Sequence, residues 1–223
     1  MITLKNTELQ HVTPESVGVK SSAIKAFVDE INSKKLGLQS FTMVRHDKVF
    51  AQGFWKPYAA DIPHVLYSMS KSVTSTAVGF AVDEGLISLD DKVYKFFPEY
   101  FAAKLPINKA LTVRMLLTMR SDKFITVFDE KGGKDWIKQF FDAGYMMPPN
   151  TKFNYISENT FMLSAIVSKV TGMSVADYLY PRMFAPLGIE KPFWETDGKG
   201  NNAGGWGLYM KSEDLAKFFL PYI

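Results

Sequence analysis

The N-terminal part of the chain contains two different hydrophobic periods. Apolar residues at helical spacing follow Ser21 and predict an amphipathic helix that ends near Asn32–Ser33. Two runs rich in β-branched and aromatic residues come next, at 40–44 and 48–51, and the polar pair His46-Asp47 separates them. This pattern predicts an antiparallel hairpin directly after the helix.

Helical spacing dominates the middle of the chain. A helix is predicted from Ser68 to Asp83–Glu84, and its inward-facing residues are Val73, Ala77 and Ala81. The later apolar segments are each preceded by polar residues of the kind that begin helices. These helix starts are predicted at Thr112, at Lys134-Asp135-Trp136, at Ser157, at Ser174 and at Ser212-Glu213-Asp214.

The predicted elements run in the order helix, hairpin, many helices and a final helix. A polar, flexible crossing is predicted before that final helix, at Asp197–Asn202 and Gly204–Gly205. Because an isolated pair of strands is only marginally stable, further strands are expected on the C-terminal side. An incomplete sheet would expose a strand edge, and we therefore expect self-association or additional ordered chain.

Composition excludes several classes of function. The 223 residues are 47% hydrophobic and 22% charged, as in an ordinary globular domain. A net charge of +3 does not support nucleic acid or an anionic membrane as a partner. The lack of cysteine excludes disulfides and thiol catalysis, and three histidines without ligand spacing argue against a metal site, so no cofactor is expected. The sequence contains no signal peptide and no apolar run of membrane length, so a cytoplasmic location is expected.

A serine and a lysine three residues apart, Ser68 and Lys71, are the first candidates for chemistry. At the start of a helix this spacing places both side chains on one face, where an amine can activate a hydroxyl nucleophile. The spacing has little specificity on its own, because Ser22 and Lys25 repeat it in the N-terminal helix. We interpret that second pair as ordinary helix surface.

Several segments, in the expected order, resemble the serine β-lactamase and penicillin-binding-protein superfamily. The most similar branch is the class C-like, esterase-type one. The segment 153–157 resembles the second catalytic motif of that branch, Tyr-x-Asn, although here the third place is Ser157. The other matching segments are 66–72 around Ser68, and 85–93, 111–118, 165–172 and 184–189.

The resemblance implies a fold as well as a family. We expect an α+β fold of the β-lactamase/transpeptidase type, with an antiparallel sheet flanked by helices and a helical subdomain. The N-terminal helix and hairpin would occupy 1–66, and the helical subdomain with the nucleophile would occupy 67–198. The segment 199–223 would begin the return to the first subdomain, whose C-terminal strands are missing from the sequence.

The resemblance also implies roles for four residues. Ser68 attacks the acyl carbonyl of a small-molecule substrate and forms an acyl-enzyme, while Lys71 and Tyr155 transfer protons. Ser157 is a candidate substrate-binding residue; it either holds the substrate or Lys71, or caps the helix that follows. The backbone N–H of Ser68 would supply one of the two oxyanion donors.

Two departures from the family pattern affect these expectations. Met119-Arg120-Ser121-Asp122 replaces a His-Thr-Ser-Gly turn, and no Lys-Thr-Gly or His-x-Gly-like third motif follows.

The leading hypothesis is a serine hydrolase of esters or amides. β-Lactamase or D,D-peptidase activity is the alternative within that class, ranked lower because of Ser157. A catalytically incomplete fragment or a non-catalytic binding module is the alternative from a different class.

Overall fold

The computed structural model describes residues 8–100, 106–124 and 135–222, and its elements confirm the predicted α+β class. Residues 1–7, Lys134 and Ile223, which entered the predictions above, lie outside the described ranges. The strands are β1 Gln10–His11, β2 Ser40–Arg45, β3 Lys48–Phe54, β4 His64–Val65 and β5 Tyr209–Met210. The α-helices are α1 Ser21–Ser33, α2 Ser70–Asp83, α3 Val113–Leu117, α4 Trp136–Asp142, α5 Ser157–Thr171, α6 Val175–Leu179 and α7 Ser212–Phe219.

The chain divides into two compact units. The first comprises residues 1–64, 181–191 and 209–223, and the second comprises 65–180 and 192–208. Among the described residues, every helix is too short or too polar to traverse a bilayer.

The predicted hairpin forms the sheet of the first unit. Strands β2 and β3 pair antiparallel, and both residues of the connecting turn, His46 and Asp47, have positive φ, at 51° and 59°. Two such residues give the turn the twist that a two-residue hairpin loop requires. Strand β1 adds a parallel pairing to β3, which the sequence pattern did not predict, and the strand order is β1-β3-β2.

A long buried helix organises the second unit. Helix α5 packs against α2, α3, α4 and α6, and its residues 158–167 are all buried. Because a helix buried around its whole circumference has no polar face, its sequence lacks a clear amphipathic stripe. Helix α2 buries Val73, Ala77 and Ala81, as predicted.

The helices begin at or directly after all five predicted positions, but only three of these positions supply a side-chain cap. The side chains of Thr112, Asp135 and Ser174 accept backbone N–H bonds and cap α3, α4 and α6. Ser157 does not cap α5; it is the first residue of that helix, and its hydroxyl is engaged elsewhere. Ser212 likewise begins α7 without a side-chain cap bond.

The segment predicted as a flexible crossing is densely hydrogen-bonded and partly buried, with residues 198–200 exposed and 202–205 buried. Asp197 is buried and accepts from the backbone N–H groups of Lys199 and Asn201. The Asn202 side chain accepts from Ala176 N and donates to Trp194 O. The side chains of Asp197 and Asn202 are thus satisfied by hydrogen bonds within the segment and to its neighbours.

Candidate active site

Ser68 lies in a short 3-10 turn, Tyr67–Met69, that leads into α2. The α-helix thus begins two residues later than predicted. Tyr67 has a φ of 43°, a conformation that costs energy in a non-glycine residue and that is concentrated at functional sites. The turn leaves Ser68 exposed at the surface of the second unit, while Lys71 one turn further on is half-buried.

The amine of Lys71 connects three separate segments. Its Nζ donates to Ser68 Oγ at 3.2 Å, to Ser157 Oγ at 3.0 Å and to the carbonyl oxygen of Gly205 at 2.7 Å. A lysine ammonium has three N–H donors, so these three acceptors satisfy it completely. The predicted pairing of Ser68 with Lys71 is present in the structure, within hydrogen-bond reach.

Tyr155 also contacts this lysine. Its ring centroid is 4.9 Å from Lys71 Nζ, and about half of the residue (52%) is exposed. Burial on its own would raise the pKa of the phenol. The interactions of its hydroxyl with Ser68 and Lys71, together with the positive charge of Lys71, outweigh burial and leave the pKa of Tyr155 below its ordinary value.

Two adjacent glycines, Gly204 and Gly205, pack against α5 next to the site, and neither was among the predicted site residues. A Cβ on Gly205 would lie 2.8 Å from the Ser157 carbonyl oxygen and 3.4 Å from Lys71 Nζ. Gly204 has a φ of 69°, and its carbonyl oxygen accepts from the Thr74 hydroxyl at 2.9 Å. The adjacent glycine pair was the available signal, because such pairs allow close backbone approach.

The turn that departs from the family pattern holds the segment before Tyr155. Asp122 has a φ of 55°, so it adopts the conformation that favours the glycine of the family's turn. Its buried carboxylate accepts from the backbone N–H groups of Thr151 and Lys152. Arg120 donates to the side chain and the carbonyl oxygen of Asn150. Side-chain hydrogen bonds of Arg120 and Asp122 thus tie this turn to residues 150–152, which precede Tyr155.

The second serine–lysine pair has a different environment. Ser22 and Lys25 are both exposed on α1, and Lys25 pairs with Asp29 four residues further along the same helix. This is the usual partner of a lysine on a solvated helix. The interpretation of this pair as helix surface agrees with the structure.

Comparison with known proteins gives the family. Residues 24–221 match the profile of the family described as Beta-lactamase. The chain belongs to the beta-lactamase family. The resemblance seen in the sequence is thus confirmed, and the members of this family that the chain resembles are serine hydrolases.

Two curated proteins are similar in sequence to most of this beta-lactamase-family chain. Penicillin-binding protein 4 of Amycolatopsis lactamdurans is 30% identical over 182 residues, covering 78% of this chain and 44% of the relative. The 6-aminohexanoate-dimer hydrolase of Paenarthrobacter ureafaciens is 24% identical over 227 residues, covering 92% of this chain and 57% of the relative. The chain spans about half the length of these relatives.

A solved structure confirms the predicted fold type. FmtA from Staphylococcus aureus superimposes with a TM-score of 0.75 at 17% identity, covering 98% of this chain and 70% of that chain. A putative beta-lactamase from Bacteroides dorei superimposes with a TM-score of 0.72 at 19% identity, covering 90% of this chain and 62% of that chain. The α+β fold is therefore of the β-lactamase/transpeptidase type.

Proposed function

We propose that this chain carries the nucleophile of a serine hydrolase that forms an acyl-enzyme on Ser68. The observation that supports this most strongly is the contact of one amine, Lys71 Nζ, with Ser68 Oγ, Ser157 Oγ and Gly205 O together. A general base has to be within hydrogen-bond reach of the proton that it removes, and Lys71 meets this condition.

The bonding of Lys71 also gives the proton transfer a direction. When the amine is neutral, its two N–H groups can donate to Ser157 Oγ and Gly205 O. The lone pair then points toward Ser68 Oγ, where it can accept the serine proton. In this proposal Ser157 orients Lys71, which is one of the roles expected for it.

The proposed reaction has two steps, the acylation of Ser68 and the hydrolysis of the acyl-enzyme. Ser68 Oγ bonds to the acyl carbon, and its proton passes through Lys71 and Tyr155 to the departing alcohol or amine. Water next attacks the acyl-enzyme and gives a proton to Tyr155, and a proton returns to Ser68 Oγ as the acid leaves. The lowered pKa of Tyr155 suits this role, because its phenolate becomes easier to form.

The substrate is proposed to be a small ester or amide. One relative is a 6-aminohexanoate-dimer hydrolase and another is a penicillin-binding protein. Ser157 in place of the family's Asn is the reason for ranking simple esters and amides above β-lactams. Clear turnover of a chromogenic cephalosporin, exceeding that of a short nitrophenyl ester, would reverse this order.

Covalent labelling tests the nucleophile directly. A fluorophosphonate probe should label the chain once, and the labelled peptide should contain Ser68. Ser68→Ala should abolish labelling and lower the hydrolysis of nitrophenyl acetate by about 10³-fold or more. Ser22→Ala is the matched control, because Ser22 has the same spacing to a lysine and should keep both. Equal labelling of the Ser68→Ala variant would refute the proposal, because the probe would then react at a different residue. No labelling of the wild type would favour a non-catalytic module.

A further inference from the structure

A cleft of about 380 Å³, which we term the α1 cleft, lies in the first unit beside the end of α1. Its lining comes from the end of α1 and the loop that follows, within residues 31–39, and from residues 55–58 after β3. The backbone joins these segments, because Trp55 N donates to Gln39 O and Tyr58 N donates to Trp55 O, both at 2.9 Å. The cleft is therefore a built feature of this unit, and its volume is typical of a small-molecule site.

Two aromatic rings in the lining of the α1 cleft are held in place by their neighbours. The indole of Trp55 donates from Nε1 to Asn32 Oδ1 at 2.7 Å. The ring of Tyr58 stacks on His64, with 4.4 Å between the centroids and 12° between the planes, so only its opposite face and its edge remain for the cleft. The aliphatic side chains in the lining are Ile31, Leu36 and Leu38. The cleft thus offers an apolar surface to the body of a ligand.

The polar side chains of the lining offer N–H donors and no negative charge. Trp55 Nε1 can only donate, so it fixes the oxygen of Asn32 toward the indole and leaves the amide N–H groups for another partner. Lys35 and Lys56 also line the cleft, and both are exposed. Neither lysine forms an ion pair with any residue that the structure describes, and the ten lining residues include no carboxylate. This donor set is complementary to an anion.

The backbone at Lys35 has a conformation that favours glycine or asparagine, with a φ of 51°. Leu36 N donates to Ile31 O and Lys35 N donates to Asn32 O, both at 3.2 Å. These two bonds form a Schellman motif, in which the position of Lys35 is usually glycine. Because the backbone already satisfies these helix-end carbonyls, the turn itself has no need of a lysine side chain. An ammonium kept at a strained position is consistent with a binding role.

We propose that the α1 cleft binds a small organic anion, a carboxylate with an aromatic body. The carboxylate accepts hydrogen bonds from Lys35, Lys56 and the amide of Asn32, and the aromatic body packs against Trp55 and Tyr58. This inference does not rest on the proposed function, and its test requires no turnover.

Phenylacetate is the probe, and it is titrated into the full chain while the indole N–H signal of Trp55 is followed by NMR. The chain has four tryptophans, and Trp55→Phe assigns the signal. Phenylacetate should shift this signal with saturation. Acetate, which lacks the aromatic body, should bind about tenfold more weakly or less, and 2-phenylethylammonium, which has the body but the opposite charge, should not saturate. Equal affinities for phenylacetate and 2-phenylethylammonium, or no saturable shift with phenylacetate, would overturn the proposal.

Lys35→Asn separates binding from folding, because asparagine tolerates the positive φ and removes only the charge. It should weaken phenylacetate binding about two- to fivefold, and the double variant with Lys56→Gln should weaken it about tenfold or more, while the midpoint of urea denaturation is unchanged or higher. Lys34→Gln is the matched control, since Lys34 pairs with Glu30 and does not line the cleft; its affinity should equal that of the wild type. Equal weakening in Lys34→Gln, or unchanged affinity in the double variant, would show that the cleft does not hold the carboxylate.

Discussion

A buried lysine outside the candidate catalytic group gives the sharpest prediction about stability. Lys123 is completely buried; its Nζ donates to Ala143 O at 2.9 Å and lies 4.2 Å and 4.9 Å from the rings of Tyr145 and Phe140. Burial lowers the pKa of Lys123 from 10.5 to about 7, and the charge of Asp142 offsets only part of this shift. The folded protein thus holds a neutral amine over much of the alkaline range.

The sign of the pH dependence follows from proton uptake. Between about pH 7 and pH 10.5 the unfolded chain binds a proton at Lys123 that the folded chain does not bind. The free energy of unfolding therefore rises with pH, by up to about 1.4 kcal/mol per pH unit. Between pH 7.5 and pH 9.5 the contribution of this one group is about 2 kcal/mol.

Lys123→Met removes the titrating group and keeps its aliphatic stem. The variant should lose the pH dependence of about 2 kcal/mol, and at pH 7.5 it should be at least as stable as the wild type, because no amine has to be neutralised on burial. Urea denaturation followed by far-UV circular dichroism at both pH values measures this. Lys138→Met serves as the control, since Lys138 is exposed and pairs with Asp142. Identical pH slopes in the wild type and Lys123→Met would refute the reasoning.

Two further predictions concern the residues that shape the site. Gly205→Ala places a methyl group 2.8 Å from the Ser157 carbonyl oxygen and 3.4 Å from Lys71 Nζ. Labelling of Ser68 by the fluorophosphonate probe should therefore slow by about tenfold or more, while the circular dichroism spectrum is retained. Unchanged labelling would contradict the tight packing. Asp122→Ala leaves two backbone N–H groups without their carboxylate and should lower the unfolding free energy by about 1–3 kcal/mol in urea. Asp122→Asn, which keeps an acceptor and tolerates the positive φ, should recover part of this loss, and equal losses in both variants would argue against the bonds.

Local sequence signals predicted most of the regular structure. The stripe of α1, the hairpin and the inward face of α2 each depend on a periodicity within a dozen residues. The caps of α3 and α6 depend on one side chain and the next turn of helix. Strand β1 escaped prediction because two residues carry no periodicity, and its pairing to β3 joins positions far apart in sequence.

The candidate site required information that no local pattern carries. Tyr155 lies 84 residues after Lys71, and only the family resemblance linked them. Gly205 was absent from the predicted site because its part is played by a backbone carbonyl, which any residue possesses. Its identity matters only because Ser157 and Lys71 approach too closely for a side chain. That constraint belongs to the packing of α2 and α5 and cannot be read from the glycine alone.

The two serine–lysine pairs show what spacing does and does not determine. Both pairs have their side chains on one helical face, as the three-residue separation requires. Lys25 finds a carboxylate on its own helix, whereas Lys71 contacts oxygens from α5 and from the 204–205 segment in addition to Ser68. A helix can bring a serine and a lysine together by itself, but it cannot aim the amine at the hydroxyl. The contacts that hold the amine beside Ser68 Oγ include those with Ser157 and Gly205, so this arrangement is a property of the packed unit rather than of the motif.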